Sequence, residues 1–333
     1  MSPPTDLNAQ RPVSPTDTLQ LTLADARLRG LRDNTDLIAI RLDTAIARGE
    51  LRQSGTLLFN PAFDVVAPVA GNNAEFGVSQ ELEIFGQRGK RVAAGQASFN
   101  RARAGTENSA RLIVGEIDRT FYQLVSASER TRLAEEVLEL NTRLASVAER
   151  QLAAGEISRL DYNLAVVELG RSRSRMLATR REREQVEYEL QRLLGLRGNA
   201  HLVPNIGNMQ DEGIPDSTAT GRTAHDHAAR AARLNSDSLV TLALTQRRDL
   251  TERSAATEQA AAEAALARRE ALPNLLLRGV LQRGPNGNQS IAPGIGLTLP
   301  IFNRNRGLAH ARDAVAKQSE LVFASLLVRV RTE

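Results

Sequence analysis

The sequence predicts a mainly α chain with β-hairpins, in which long coiled-coil helical hairpins are the principal element. Three observations predict it. The chain has no proline between Arg88 and Pro204, and Leu133, Val137, Leu140, Leu144 and Val147 recur at alternating spacings of four and three. That is the heptad of a coiled coil. From Glu75 to Ile84 the period changes to two: Phe76, Val78, Gln80, Leu82 and Ile84 alternate with Glu75, Gly77, Ser79, Glu81 and Glu83, as in a half-buried strand. The order helix, strand pair, helix then occurs a second time.

In chain order, residues 1–18 are rich in Pro, Ser and Thr and read as a disordered segment. The first structural repeat, 19–198, opens with a helical pattern from Leu19 to about Ser54, interrupted at Asp33-Asn34-Thr35. Asn60-Pro61 ends it, because proline cannot continue a helix. A β-hairpin is expected over 62–84, with Ala70-Gly71-Asn72-Asn73 as its turn. A long helix follows over 88–152, which at ~1.5 Å per residue measures roughly 95 Å. Few compact domains hold a helix of that length.

A tip at 153–158 stops this helix. Gly155 suits the left-handed position past a helix end. Ser158 and Asp161 make a Ser-x-x-Asp capping signature, with Ile157 and Tyr162 placed as a hydrophobic staple. The return helix is expected over 159–194, followed by a Gly- and Pro-rich linker over 199–222. The second repeat, 223–333, is incomplete: a helix over Asp249 to Leu272, a β-hairpin over 275–301 turning at Gly284-Pro285-Asn286-Gly287-Asn288, and a helix starting near Arg306.

Composition limits the chemistry. The chain has 333 residues, no Cys and no Trp. Disulfides, Cys-ligated metals and thiol catalysis are therefore excluded within these residues, and a lipid-anchored N-terminal Cys is not expected on this chain. The net charge of +4 is too even to argue for nucleic acid. No run of 18 apolar residues is present for a transmembrane helix. Met1 to Gln20 lacks the apolar stretch of a signal peptide, so the chain is expected to be cytoplasmic or to have a leader outside this sequence. No Gly-x-Ser-x-Gly, Walker, Gly-x-Gly-x-x-Gly or His-Glu-x-x-His motif occurs. No catalytic residue, cofactor site or metal site is assigned; His225-Asp226-His227 is a loop pair without a third ligand.

The two hairpins supply four strands, about long enough to cross a bilayer when tilted. Four strands cannot close a barrel, and open edges are not tolerated in lipid. If these strands lie in a membrane, several copies share one barrel. Phe59, Phe63, Phe76, Phe85 and Phe302 lie in or beside them, as in an interfacial aromatic belt.

Three stretches carry a family resemblance: LEIFGQRGKR (Leu82 to Arg91), RQLAAGEISRLDYNLAVVEL (Arg150 to Leu169) and LPIFNRNRG (Leu299 to Gly307). They resemble TolC-type outer membrane efflux proteins, and the first is most similar to the heavy-metal-cation branch. The resemblance runs over residues 20 to 333 and implies a homotrimer. Its twelve strands would form one barrel in outer-membrane lipid of a Gram-negative bacterium, and its helices a periplasmic tunnel. It further implies a passive exit duct, coupled to a periplasmic adaptor (a membrane fusion protein) and an inner-membrane pump, with metal cations as candidate cargo. The family's adaptor contact maps onto Arg150, Ala154, Gly155, Glu156, Ile157, Ser158, Leu160 and Asp161. There Gly155 would give the tight turn, Ile157 and Leu160 an apolar contact, and the polar residues the register. The second tip of the family unit has no counterpart before Glu333, so the chain reads as C-terminally truncated.

Other readings stand beside these. The tip is also what any capped helical hairpin needs. Arg88, Lys90, Arg91, Arg101 and Arg103 are either a solvated helix face or an anchor beneath the barrel. The heptad stripe is read as packing against neighbouring helices. The whole chain is alternatively a soluble helical-hairpin scaffold, or a non-functional truncated relative.

Overall fold

The computed structural model describes residues 18–66, 74–196, 200–205, 236–284, 288–300, 302 and 304–332. The expected lead-in up to residue 17, the turn at 70–73, most of the linker, His225-Asp226-His227 and Pro285 to Gly287 lie outside them. In chain order the elements are β1 (Thr18–Leu21), α1 (Leu23–Asp33), α2 (Thr35–Ser54), β2 (Ala62–Val66), β3 (Ala74–Leu82), α3 (Gln87–Ala153), α4 (Arg159–Leu193), β4 (His201–Pro204), α5 (Ser236–Gln246), α6 (Arg248–Arg269), β5 (Asn274–Arg283), β6 (Gln289–Thr298) and α7 (Arg306–Thr332). The chain divides into two compact units, 1–39 with 109–229 and 40–108 with 230–333.

The first unit is a helical hairpin with a small core at its base. Leu21, Leu23, Ala26, Ile117, Phe121, Leu124, Leu190, Leu193, Leu194 and Leu202 form that core. Asn34, 1% exposed, joins three helices there. Its N–H donates to Gly30 O at the end of α1, its Oδ1 accepts from Leu37 N of α2, and its Nδ2 donates to Leu193 O of α4. This is the physical content of the expected interruption at Asp33-Asn34-Thr35. The fork of Arg32 on Asp33, with Arg29 nearby, holds the Asp33 carboxyl below the usual carboxylate range.

Two expectations are corrected in this unit. Thr18–Leu21 does not open the first helix, and His201–Pro204 is not linker; the two segments pair as parallel strands. Leu19 and Leu21 of β1 turn toward the core while Gln20 does not, which is a strand period that a four-residue segment scarcely displays.

The expected heptad stripe is not the seam between α3 and α4. Where α3 packs on α4, it buries Leu124, Ala127, Thr131, Ala134 and Ala145, continued by half-buried Leu138, Asn141, Ala148 and Leu152. The facing row on α4 is Tyr162, Ala165, Leu169, Ser172, Met176 and Thr179. Arg130–Glu182 and Arg180–Glu135 flank this seam. It is an unbroken heptad of mostly small residues. The stripe Leu133, Val137, Leu140, Leu144 and Val147 forms a second heptad beside it and is left exposed in the single chain. Alanine contributes little to hydrophobic periodicity, so the larger residues conceal the seam that the hairpin uses.

The second unit packs Ala-rich helices beside a sheet. Ala94, Ala97, Ala104, Leu250, Ala255, Ala260, Ala264 and Ala267 are buried. The helices come close: a Cβ on Gly95 would lie 2.8 Å from Ser54 Oγ. Thr44 and Thr106 hydroxyls bond at 2.9 Å, and Asn108 Nδ2 donates to Glu252 at 2.6 Å. The strands form one antiparallel sheet in the order β2-β3-β5-β6. The two expected hairpins are thus joined, with β3 pairing β5 in nine consecutive positions. That pairing links residues about 200 positions apart and leaves no local sequence signal.

Candidate functional site

The sheet's register sorts its side chains into two faces. Phe63 lies opposite Val78, Phe76 opposite Leu281, Leu277 opposite Ile295, and Leu281 opposite Ile291. All of these belong to one face, and that face is the open one: Phe63 is 75% exposed, Ile291 78% and Ile295 82%. The other face carries Asp64, Glu75, Ser79, Glu81, Arg278 and Gln282, with Val66, Leu276, Val280 and small residues between them. Gln282 Nε2 donates to Glu75 at 2.9 Å, and Asn274 Nδ2 donates to Glu81 at 2.9 Å. The expected alternation in β3 is present. Its apolar side, however, is not half-buried within the chain; it faces out.

Burying one such side chain is worth about 1.5–3 kcal/mol. A continuous apolar face over four strands is therefore too large to leave in water. Apolar outside and polar inside, with period two, is the pattern of a membrane β-barrel wall. Among the described residues, the outer edges of β2 and β6 have no strand partner. Among the described residues no helix is long and apolar enough to cross a membrane, which says nothing of strands.

Below the sheet, the strand-to-helix junction is tightly bonded. Gln87, 2% exposed, accepts from Phe85 N and donates to Asn274 Oδ1. It ties the end of the first strand pair to the start of the second. Arg91 pairs with Glu83 and donates to Ser54 O and Thr56 O at the end of α2. Arg88 donates to Gly55 O at 3.1 Å. Two members of the basic cluster are therefore helix caps; neither the solvated-face reading nor the anchor reading described them. Arg101 bonds Gln259, and Arg103 bonds Glu107.

The tip is built as the sequence indicates. Gly155 has φ +74°. Gly155 N donates to Leu152 O and Glu156 N to Gln151 O, closing the end of α3 in the manner of a Schellman motif. Ser158 and Asp161 form a reciprocal capping box. Arg150, Ala154, Gly155, Glu156, Ser158, Leu160 and Asp161 are all exposed. Ile157 is half-buried, as is Tyr162, which fits the staple positions and leaves Ile157 little to offer a partner. Leu160, 67% exposed, and Leu164, one turn further on and also exposed, form the apolar patch. Leu164 was not among the expected residues; its spacing of four from Leu160 is the signal that would have found it.

Known proteins fit this geometry. Residues 67–196 match the family model of the Outer membrane efflux protein. The chain is 24% identical over 293 residues to the cobalt-zinc-cadmium resistance protein CzcC of Cupriavidus metallidurans, covering 86% of this chain and 65% of the relative. It is 24% identical over 316 residues to the nickel-cobalt-cadmium resistance protein NccC of Alcaligenes xylosoxydans xylosoxydans, covering 92% and 62%. It therefore spans slightly less than two thirds of these relatives. Its fold matches the crystal structure of the Campylobacter jejuni CmeC outer membrane channel with a TM-score of 0.69 at 17% identity, over 92% of this chain and 68% of that one. Residues 67–196 are thus similar in sequence to the outer membrane efflux protein family, and the fold of the chain is similar to that of a solved outer membrane channel.

Proposed function

We propose that this chain is the outer-membrane channel component of a tripartite efflux system. Three copies pool their four-stranded sheets into one barrel, and their helices continue it into the periplasm. The duct is passive: a periplasmic adaptor and an inner-membrane pump supply direction and energy, and no residue of this chain performs catalysis. Divalent transition-metal cations are the proposed cargo, because the relatives are named for resistance to cobalt, zinc, cadmium and nickel. The observation that carries the reading is the continuous apolar outer face of the sheet over a polar inner face. The exposed Leu133–Val147 stripe supports it, since it offers helices of the tunnel wall a second heptad seam.

The adaptor contact is assigned to the tip, on Leu160 and Leu164 with Arg150, Glu156 and Asp161 around them. Leu160→Glu with Leu164→Glu leaves the caps intact and replaces the apolar patch with charge. In cells whose own channel is deleted and whose adaptor and pump are matched to this chain, the wild type is expected to lower cadmium or zinc accumulation. The double variant is expected to lose most of that export at an unchanged outer-membrane level. Normal export by the double variant would remove the tip from the contact. Failure of the wild type with every tested divalent cation would remove metal as the cargo.

A further inference from the structure

The second unit holds a hollow of about 470 Å3 between α3, α6 and α7, the size of a small-molecule site (~300–1,000 Å3). Local pattern makes it. On α6, Arg253, Ala256, Ala260 and Glu263 recur at spacings of three, four and three, so they share one face. The two alanines leave the floor low between the long side chains at either end. Arg312, Val315, Ser319 and Val322 repeat that spacing on α7. Ser319 Oγ lies 3.2 Å from Thr257 Oγ1, which ties the two helices together. The bonds of Asn108 to Glu252 and of Arg248 to Glu107 set α3 against α6 in a register that brings Arg101 level with Gln259.

Each of the three helices contributes one arginine to the lining: Arg101, Arg253 and Arg312. Among the described residues, Glu263 is the one carboxylate in that lining, and both of its oxygens are occupied. Oε1 accepts from Gln259 Nε2 at 2.7 Å, and Oε2 accepts from Arg312 Nη1 at 2.6 Å. Gln259 Oε1 in turn accepts from Arg101 Nη1 at 3.1 Å. The Arg253 guanidinium has no hydrogen-bond or ion-pair partner among the described residues. Three guanidinium groups against one carboxylate leave two positive charges unmatched. Arginine does not shed its proton, so titration cannot relieve the excess, whereas a bound anion can.

We propose that this hollow binds a phosphate group, either free or as the monoester of a small organic molecule. A phosphate monoester carries about −1.5 to −2 charge at pH 7 and three strong acceptor oxygens. Those match an excess of two positive charges and three guanidinium forks arriving from three helices. Chloride or a single carboxylate matches neither count. Val315 and Val322 give the rest of the hollow an apolar wall, against which the organic part of an ester fits. All three arginines are exposed, so the site is open to a ligand. A phosphate held there bridges α3, α6 and α7 and stiffens the unit. The site is independent of the assembly and the cargo proposed above.

Calorimetric titration of the purified full-length protein tests it, with inorganic phosphate and glycerol phosphate as probes in a chloride buffer of constant ionic strength. The expected result is one site per chain, with the ester bound at least as tightly as free phosphate. Arg253→Gln removes a guanidinium that bonds to no other side chain among the described residues, so fold and assembly are expected to be unchanged. Its affinity for both probes is expected to fall about ten-fold or more. Arg101→Gln is expected to give a similar loss. Lys317 lies in the neighbouring hollow of the same two helices and is already paired with Glu320 at 2.9 Å, so Lys317→Gln is expected to leave the affinity as it is. No binding of either probe to the wild type would overturn the site. Binding that survives both Arg253→Gln and Arg101→Gln unchanged would also overturn it, because the phosphate would then sit elsewhere on the chain.

Discussion

Replacing Gly195 with alanine is expected to destabilise the helical-hairpin unit by about 3 kcal/mol or more, while the same change at Gly155 is expected to cost only about 1 kcal/mol. Both glycines have positive φ, +64° and +74°, so the conformational penalty for an L side chain is similar. Their surroundings differ. A Cβ on Gly195 would lie 2.1 Å from the Asp33 carbonyl oxygen and 2.7 Å from its carbon. That neighbour is backbone at the end of α1, next to buried Asn34, and it cannot move without breaking the bonds Asn34 makes to three helices. A Cβ on Gly155 meets nothing within 4 Å. Far-UV ellipticity followed through a denaturant titration of the two variants separates the cases. Equal losses would mean that φ alone sets the cost and that the close approach of the α4 end to α1 can relax.

Arg91→Met is expected to be the second large loss, about 3–5 kcal/mol. The Arg91 and Glu83 side chains are 17% and 8% exposed, so removing the guanidinium leaves a carboxylate buried and unpaired. It also frees Ser54 O and Thr56 O, the carbonyls that Arg91 caps at the end of α2. Methionine keeps the apolar stem, so the loss reports polar bonding rather than packing. Adding Glu83→Leu is expected to recover part of the loss, because the stranded charge is gone, while the carbonyls of α2 stay uncapped. The check is a double-mutant cycle on thermal unfolding of the detergent-extracted protein. A double variant no more stable than Arg91→Met alone would show that the cost lies in the α2 cap and not in the ion pair.

Elements set by local rules were legible from the sequence. The long helix, expected over 88–152, spans Gln87–Ala153, and the return helix, expected over 159–194, spans Arg159–Leu193. Proline, glycine and the Ser158/Asp161 box punctuate those boundaries. What was missed depends on residues distant in sequence. β1 and β4 pair across about 180 residues in four positions. The bond between β3 and β5 that merges two hairpins into one sheet is of the same kind. The coiled coil shows a subtler limit. Large residues at heptad spacing marked a seam, and the chain buries the neighbouring seam of Ala127, Thr131, Ala134 and Ala145, where small side chains let two helices approach. At the tip the chemistry was legible and the orientation was not. Ile157 precedes the N-cap and folds under the turn, whereas Leu160 and Leu164 on the first turns of α4 point away.

The central claim is that copies of this chain share one membrane barrel, and the most direct measurement is the size and location of the native protein. Outer and inner membranes and the soluble fraction are separated from the producing cells, and the protein is extracted in mild detergent and weighed by native mass spectrometry. The expected result is an outer-membrane species of three copies that needs detergent to stay in solution. A monomer or dimer recovered in the soluble fraction without detergent would contradict the account, because the apolar face of the sheet would then be covered by something other than lipid.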